Sequence, residues 1–346
     1  MSERETSEPT GPAAQPPPTA PAAIQPVAEA RAPLPRAWPS IPEAGALVVV
    51  LITMCLLFAL TSPYFLTYDN IVNIATASAV ILMVAAPATL LLIGGQFDLS
   101  VGAGVAWVGV IVAWAAPTIG VWPAAALGFV GALSVGLFNG LGVTFFGVNA
   151  LITTLASLAI FRGLTKVLSD GQTLLLPGFS EVGTSRPFFN IPTPVFIAIV
   201  AVVVFFIVLR YTTYGRAIYA IGSSPTAARL AGIRNRRVIF IGFMLSATMV
   251  GIAGLVQVSQ LGAAAPTAAT GLELSVVTAV ILGGASLAGG RGTMLGTVLA
   301  VLILGVLNNG LILLKVPSFW QEVIRGVLLF SAVAFDQLRI RVSKTS

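Results

Sequence analysis

From Ala44 onward, apolar stretches of roughly 17 to 25 residues alternate with short breaks carrying Pro, Gly, Asn or charge, and that length carries a helix across a hydrocarbon core of about 30 Å. This alternation constrains the fold more than any other feature. Inside lipid every backbone N–H and C=O must find a partner within the protein, so a chain built this way is an all-α, polytopic membrane helical bundle. About ten transmembrane helices are expected, at about 45–61, 71–93, 99–117, 121–144, 149–169, 193–210, 238–260, 272–289, 293–314 and 319–337. Gly and polar residues interrupt the third, fifth and eighth, where broken or re-entrant elements are expected. Of 346 residues 57% are hydrophobic and 9% charged, against about one quarter charged in soluble domains, which excludes a soluble enzyme. The chain has no histidine, and its single cysteine, Cys55, lies in an apolar run. His/Cys metal sites, disulfide frameworks, Ser-His-Asp triads and Cys-His dyads therefore each lack a member. No catalytic residue and no metal site is expected.

Residues 1–43 differ in composition, being rich in Ala and in prolines such as Pro16, Pro17 and Pro18, with Trp38 as the lone aromatic. Such a segment buries too little to fold and reads as a disordered tail. Arg210, Arg216, Arg229, Arg234, Arg236 and Arg237 cluster without a carboxylate, which marks the connection 211–237 as cytoplasmic by the positive-inside rule. The basic C-terminal tail 339–346, with Arg339, Arg341 and Lys344, belongs on the same side, as does the N-terminus if ten spans lie between them. The basic charge is then explained by membrane topology and requires no nucleic-acid partner.

Within the basic loop, Tyr214, Gly215 and Arg216 precede a short helix framed by Ser224 at the N-cap, Pro225 at the first helical position and Gly232 as the C′ stop. Ala227, Ala228 and Arg229 would give it a small, smooth surface, suited to docking in a cleft of another protein; a plain basic loop is the alternative. Gly94-Gly95-Gln96-Phe97-Asp98-Leu99-Ser100-Val101-Gly102 separates the second and third spans. A carboxylate near hydrocarbon is expensive, so Asp98 faces protein or an interface. Gly95, Asp98, Ser100 and Gly102 mark a helix break at a pathway or hinge, or else a structural N-cap. Glycine-rich residues 283–292 form a second break. Asn139 (with Gly136 and Gly140) and Asn308 and Asn309 (with Gly305 and Gly310) follow the two breaks, hinting at an internal repeat. These amides suit either a pathway or hydrogen bonding between helices. No Gly-x-x-x-x-Gly-Lys-Ser/Thr surrounds Lys166, Lys315 or Lys344. Asp98, Glu273 and Glu322 fall near expected span ends, unlike the mid-membrane carboxylates of ion-driven carriers.

Residues 266–273, 281–292 and 307–311, together with Asp98-Leu99-Ser100-Val101-Gly102 and Tyr214 to Gly222, closely resemble the permease subunits of ribose-type ABC sugar importers. The resemblance runs in consistent order from about 44 to 338. It implies a bacterial inner-membrane permease, not itself an enzyme, that passes a monosaccharide from the periplasm to the cytoplasm. The implied partners are a second permease copy, identical or not, a cytoplasmic ATPase that uses ATP and Mg, and a periplasmic sugar-binding protein. No cofactor would be bound by this chain. The resemblance also makes 224–233 the coupling helix, with Pro225 where the family often carries Glu. A stand-alone secondary carrier or channel for a small neutral solute is the competing reading.

Overall fold

The computed structural model describes residues 41–187 and 190–345. Its elements are α1 (Ile41–Thr61), α2 (Tyr68–Ile93), α3 (Val101–Ile119), α4 (Val121–Thr144), α5 (Ala150–Leu168), β1 (Leu174–Leu175), α6 (Glu181–Thr184), α7 (Thr193–Tyr211), α8 (Thr213–Ser223), α9 (Pro225–Leu230), α10 (Asn235–Leu261), β2 (Ala263–Ala264), α11 (Leu272–Leu282), α12 (Met294–Leu313) and α13 (Ser318–Thr345). Seven of these, α2, α3, α4, α5, α7, α10 and α12, are long and apolar enough to cross a membrane. α1 carries a shorter apolar stretch and α11 is a short apolar helix.

The centre is a trio of α3, α4 and α10, flanked by α2 and α5. Small residues let these helices close on one another, which is how helices associate when the solvent is itself apolar. Gly136 lies against Ala247 and the Phe243 carbonyl, Gly128 against Val108 and Val112, and Gly254 against Val108. The second half of α2 is enclosed, with Met83, Val84, Leu90 and Ile93 fully buried. On the outside the exposed side chains are apolar: Ile52, Leu56 and Leu60 on α1, Ile152 on α5, Ile199 and Val200 on α7. A surface of this kind is suited to lipid.

Two ends of the bundle can be told apart by contact. At one, the end of α1 meets the end of α12, where Phe58 packs on Gly310, and the start of α2 joins α12 through Asn70 and Asn309. At the other, the end of α2 meets α8 and the turn before α12.

Several expectations need correction. The third and fifth segments are unbroken helices, α3 and α5. The eighth stops at Leu282 rather than 289, because Gly284, Gly289 and Gly290 all take positive φ and end the helical path. α13 continues through Thr345, across the residues expected to form a basic tail. The loop 211–237 contains a whole extra helix, α8. The N-terminal tail lies outside the described residues up to 40, and its last residues already belong to α1.

Candidate functional site

The loop helix forms as its capping residues dictate. Ser224 accepts from the Ala227 amide at 3.2 Å, Pro225 occupies the first helical position, and Gly232 has φ 84° just beyond the last turn. The Gly232 and Ile233 amides close on the carbonyls of Arg229 and Ala228 at 3.0 Å each, a Schellman-type stop. Asn235 donates to the Pro225 carbonyl at 2.8 Å, tying the start of α10 back to α9. Ala228 is buried beneath the helix, while Leu230 is 86% exposed. α9 is therefore a rigid knob presenting an apolar tip and Arg229.

α8 anchors that knob. Thr212 caps it by accepting from the Gly215 amide, and its buried residues Gly215, Ile218 and Ile221 fall on one face. Gly215 sits directly on the carbonyls of Val208 and Leu209. Tyr214 donates to the Val238 carbonyl at 2.8 Å, and burial pushes its phenol well above the ordinary value, keeping it a donor. Arg216 lies on the outer side of the same helix and is exposed.

Three glycine-bearing segments, distant in sequence, meet at the end of α8. Gly222 backs onto the end of α2 so closely that a Cβ would overlap the Ile93 carbonyl oxygen and the Gly290 nitrogen. The Gly290 amide donates to that same Ile93 oxygen at 2.7 Å. Gly289 stands against the Gly222 backbone and Gly95, and Tyr219 donates to the Gly292 carbonyl at 2.8 Å. α8 thus touches both breaks, 94–100 after α2 and 283–293 before α12, through close backbone contacts at Gly222 together with the side chains of Ile218 and Tyr219.

Past Gly95 the chain folds back into the bundle. Asp98 is buried and accepts on Oδ1 from the Ser100 amide at 3.1 Å, the Ser100 hydroxyl at 2.6 Å and Asn139 Nδ2 at 3.4 Å. Its Oδ2 accepts from the Ser246 hydroxyl at 2.8 Å, and Asn139 also donates to Ser100 Oγ at 2.8 Å. Asp98, Ser100 and Asn139, picked out separately in the sequence, therefore form one knot that ties the start of α3 to α4 and α10. Ser246 was missed, since a lone serine inside an apolar helix carries no signal. Ser100 occupies the N-cap position of α3 without capping it, its hydroxyl being committed to Asp98.

The expectation that Asp98 and Glu273 lie near span ends holds along the chain but not in space. α3 begins beside the middle of α10: Gly104 packs on Val250, 15 residues or about 22 Å above the α10 start. Gly102 abuts the Ala269 carbonyl and the Glu273 carboxylate, so Glu273, in the first turn of α11, shares that level. Glu273 Oε1 accepts from the Gly271 amide at 3.2 Å, while Oε2 is buried without a partner. Arg162 of α5 donates to the carbonyls of Pro266 and Ala268 at 3.1 and 2.7 Å. It holds in place the irregular stretch that leads down from β2 to α11. Arg162 was another omission, because nothing near it in sequence announces its partners.

Asn309 exchanges amide hydrogen bonds with Asn70, at 2.7 and 3.0 Å. It joins α12 to α2 and is removed from the Asp98 knot. Asn308 is half-buried on the same helix and is not brought to the knot either.

A polytopic helical bundle with a capped knob at one end and buried polar contacts inside has the architecture of a membrane permease. The chain belongs to the family described as branched-chain amino acid transport system, permease component, which matches residues 70–333. It is 38% identical over 308 residues to the L-arabinose transport system permease protein AraH of Escherichia coli, covering 88% of this chain and 93% of that one. The ribose import permease protein RbsC of Bacillus subtilis is 39% identical over 305 residues, covering 86% and 92%. The L-arabinose ABC transporter permease protein AraH of Azospirillum brasilense is 36% identical over 330 residues, covering 94% and 96%. No solved structure matches.

Proposed function

We propose that this chain is the membrane-spanning permease subunit of an ATP-driven importer that carries a monosaccharide, L-arabinose, D-ribose or a related simple sugar, into the bacterial cytoplasm. Two copies in the inner membrane, with termini in the cytoplasm, enclose the path. A periplasmic binding protein delivers the sugar. A separate cytoplasmic ATPase subunit uses ATP and Mg, and the permease makes and breaks no covalent bond.

One observation supports this most directly. α9 is a stiff, capped projection whose base is fastened through α8 to both helix breaks, so a force on the knob reaches the interior instead of dissipating in a flexible loop. ATP-driven closure of the ATPase pair acts as a ligand with different affinity for two arrangements of the bundle. The reading rests on the docking loop and on the relatives, and no longer on where the carboxylates lie along the chain.

Co-reconstitution with an ATPase subunit and a sugar-binding protein of the same importer class tests the reading. Sugar-loaded binding protein should raise ATP hydrolysis and drive uptake of L-arabinose or D-ribose. If liposomes containing this chain alone take up either sugar under a proton or sodium gradient, the chain is a secondary carrier and the proposal is wrong.

A further inference from the structure

The chain between β2 and α11, residues 265–271, is not helical, yet it lies level with the middle of the bundle: Gly109 of α3 packs on Ala264, and Gly102 abuts the Ala269 carbonyl. Non-helical backbone at such depth survives only against protein or water, since hydrocarbon leaves its polar groups unsatisfied. One side is covered by protein, where Arg162 binds the Pro266 and Ala268 carbonyls. On the other side Thr267 and Thr270 are exposed. Ala269 of the segment lines a cavity of about 550 Å³ whose other walls come from the start of α2, the end of α10 and residues 183–192, at the end of the bundle opposite α9, and this volume is within the range of about 300–1,000 Å³ typical of small-molecule sites.

The lining explains what it would accept. Asn73 and Thr76 from α2 face Gln257 and Gln260 from α10, with Arg186 from the loop before α7. Gln257 Oε1 is buried without a hydrogen-bond partner, and a buried acceptor is costly to leave unpaired unless a passing polar solute or water meets it. Among the described residues no carboxylate lines the cavity, so a cation finds no counter-charge there. Val80, Ile81 and Leu272 supply an apolar wall. Amides that both donate and accept, set beside an apolar wall, match a neutral polyhydroxylated ring, whose hydroxyls do both and whose C–H face is apolar.

We propose that this cavity, bounded below by the irregular segment 265–271, is the water-filled half of the solute path on the side away from α9, and that Asn73, Thr76, Gln257 and Gln260 receive the solute's hydroxyls. The proposal deepens the reading above by naming this chain's own sugar contacts, and rests on it for the identity of the solute alone.

Two experiments separate the path from the function. Cys55 is the single native cysteine, so a Cys55→Ala background allows Ala77→Cys, at an exposed position that lines the cavity, to be treated with a membrane-impermeant maleimide in spheroplasts. Rapid labelling is expected, slowed at least about threefold by excess L-arabinose or D-ribose, while Val203→Cys on the exposed apolar face of α7 stays unlabelled. Labelling of Ala77→Cys no faster than Val203→Cys overturns the water-filled path whether or not either sugar is transported. In the reconstituted importer, Gln257→Leu and Gln260→Leu should each cut uptake about tenfold while size exclusion shows the importer still assembled. Wild-type uptake by both variants, in an importer that does carry one of these sugars, overturns the contacts while leaving the permease function standing.

Discussion

Gly222→Ala separates a joint that transmits motion from simple close packing. The added methyl would overlap the Ile93 carbonyl oxygen and the Gly290 nitrogen and stand 3.0 Å from the Ile93 carbonyl carbon. All three obstacles are backbone, so no rotamer change relieves them and α8 must draw back. Overpacking of this kind costs about 1–3 kcal/mol. If the retreat also breaks the bond from Gly290 to Ile93, 2.7 Å long here, an unpaired buried group adds about 1–3 kcal/mol. The total is about 2–6 kcal/mol, and even the lower end shifts a two-state balance about thirtyfold. The assay is binding-protein-stimulated ATP hydrolysis and sugar uptake in nanodiscs and liposomes, with size exclusion and thermal midpoint recording folding. Gly163→Ala serves as control, since its added methyl meets nothing within 4 Å. The expected result is an assembled importer that keeps basal ATP hydrolysis and loses at least about nine-tenths of its uptake. Should Gly222→Ala prevent assembly, Tyr219→Phe removes only the hydroxyl bond to Gly292 and should lower uptake about threefold at unchanged basal hydrolysis. Wild-type uptake in a folded Gly222→Ala importer would refute the joint.

The other predictions concern the knob and the knot. Ser224→Ala removes the N-cap of α9, about 0.5–2 kcal/mol of local helix stability; faster amide hydrogen exchange confined to 225–231 should accompany weaker ATPase binding. Gly232→Val forces a β-branched residue to φ 84° and should uncouple hydrolysis from uptake without clashing with any neighbour; retained transport-dependent ATP hydrolysis would contradict the coupling role. Asp98→Ala strands the Ser100, Asn139 and Ser246 donors, at about 1–3 kcal/mol for each one left unsatisfied, and should lower the thermal midpoint in detergent by several degrees, with Asn139→Ala intermediate. An unchanged midpoint for Asp98→Ala would mean that water replaces the carboxylate.

Local chemistry was readable from sequence, and contacts between distant segments were not. The cap, stop and length of α9 follow from Ser224, Pro225 and Gly232, because capping is settled within a turn. The long helices were legible for the same reason, since apolar length decides them. The place of Asp98 was not: its depth depends on α3 starting beside the middle of α10, which no property of residues 94–102 specifies. α8 was overlooked because its buried face carries only Gly215, Ile218 and Ile221, too sparse a pattern amid arginines to stand out. For Asn309 the sequence left open a pathway role or a bond between helices, and the partner that makes it the latter, Asn70 on α2, is 239 residues away.

The geometry also bears on why the joint is made of glycine. A side-chain joint between α8 and the two breaks would be held by rotamers and ion pairs, each fixing one distance and resisting change. Here Gly222, Gly289 and Gly290 bring backbones into direct contact, and the hydrogen bonds from Gly290 and Tyr219 set the register. Backbones in direct contact leave little compliance, so a displacement of α8 passes to α2 and to the 283–293 turn nearly undiminished. The two routes lead to different places. Through the α2 end, motion reaches residues 94–100 and the Asp98 knot, which binds α3 to α4 and α10. Through the turn, it reaches α11, whose first turn at Glu273 abuts Gly102 of α3 and adjoins the segment steadied by Arg162. Both routes converge where α3 begins, at the level of the irregular segment. A push on α9 would thus act on the two walls of the cavity together, which is what rocking the bundle between two openings requires.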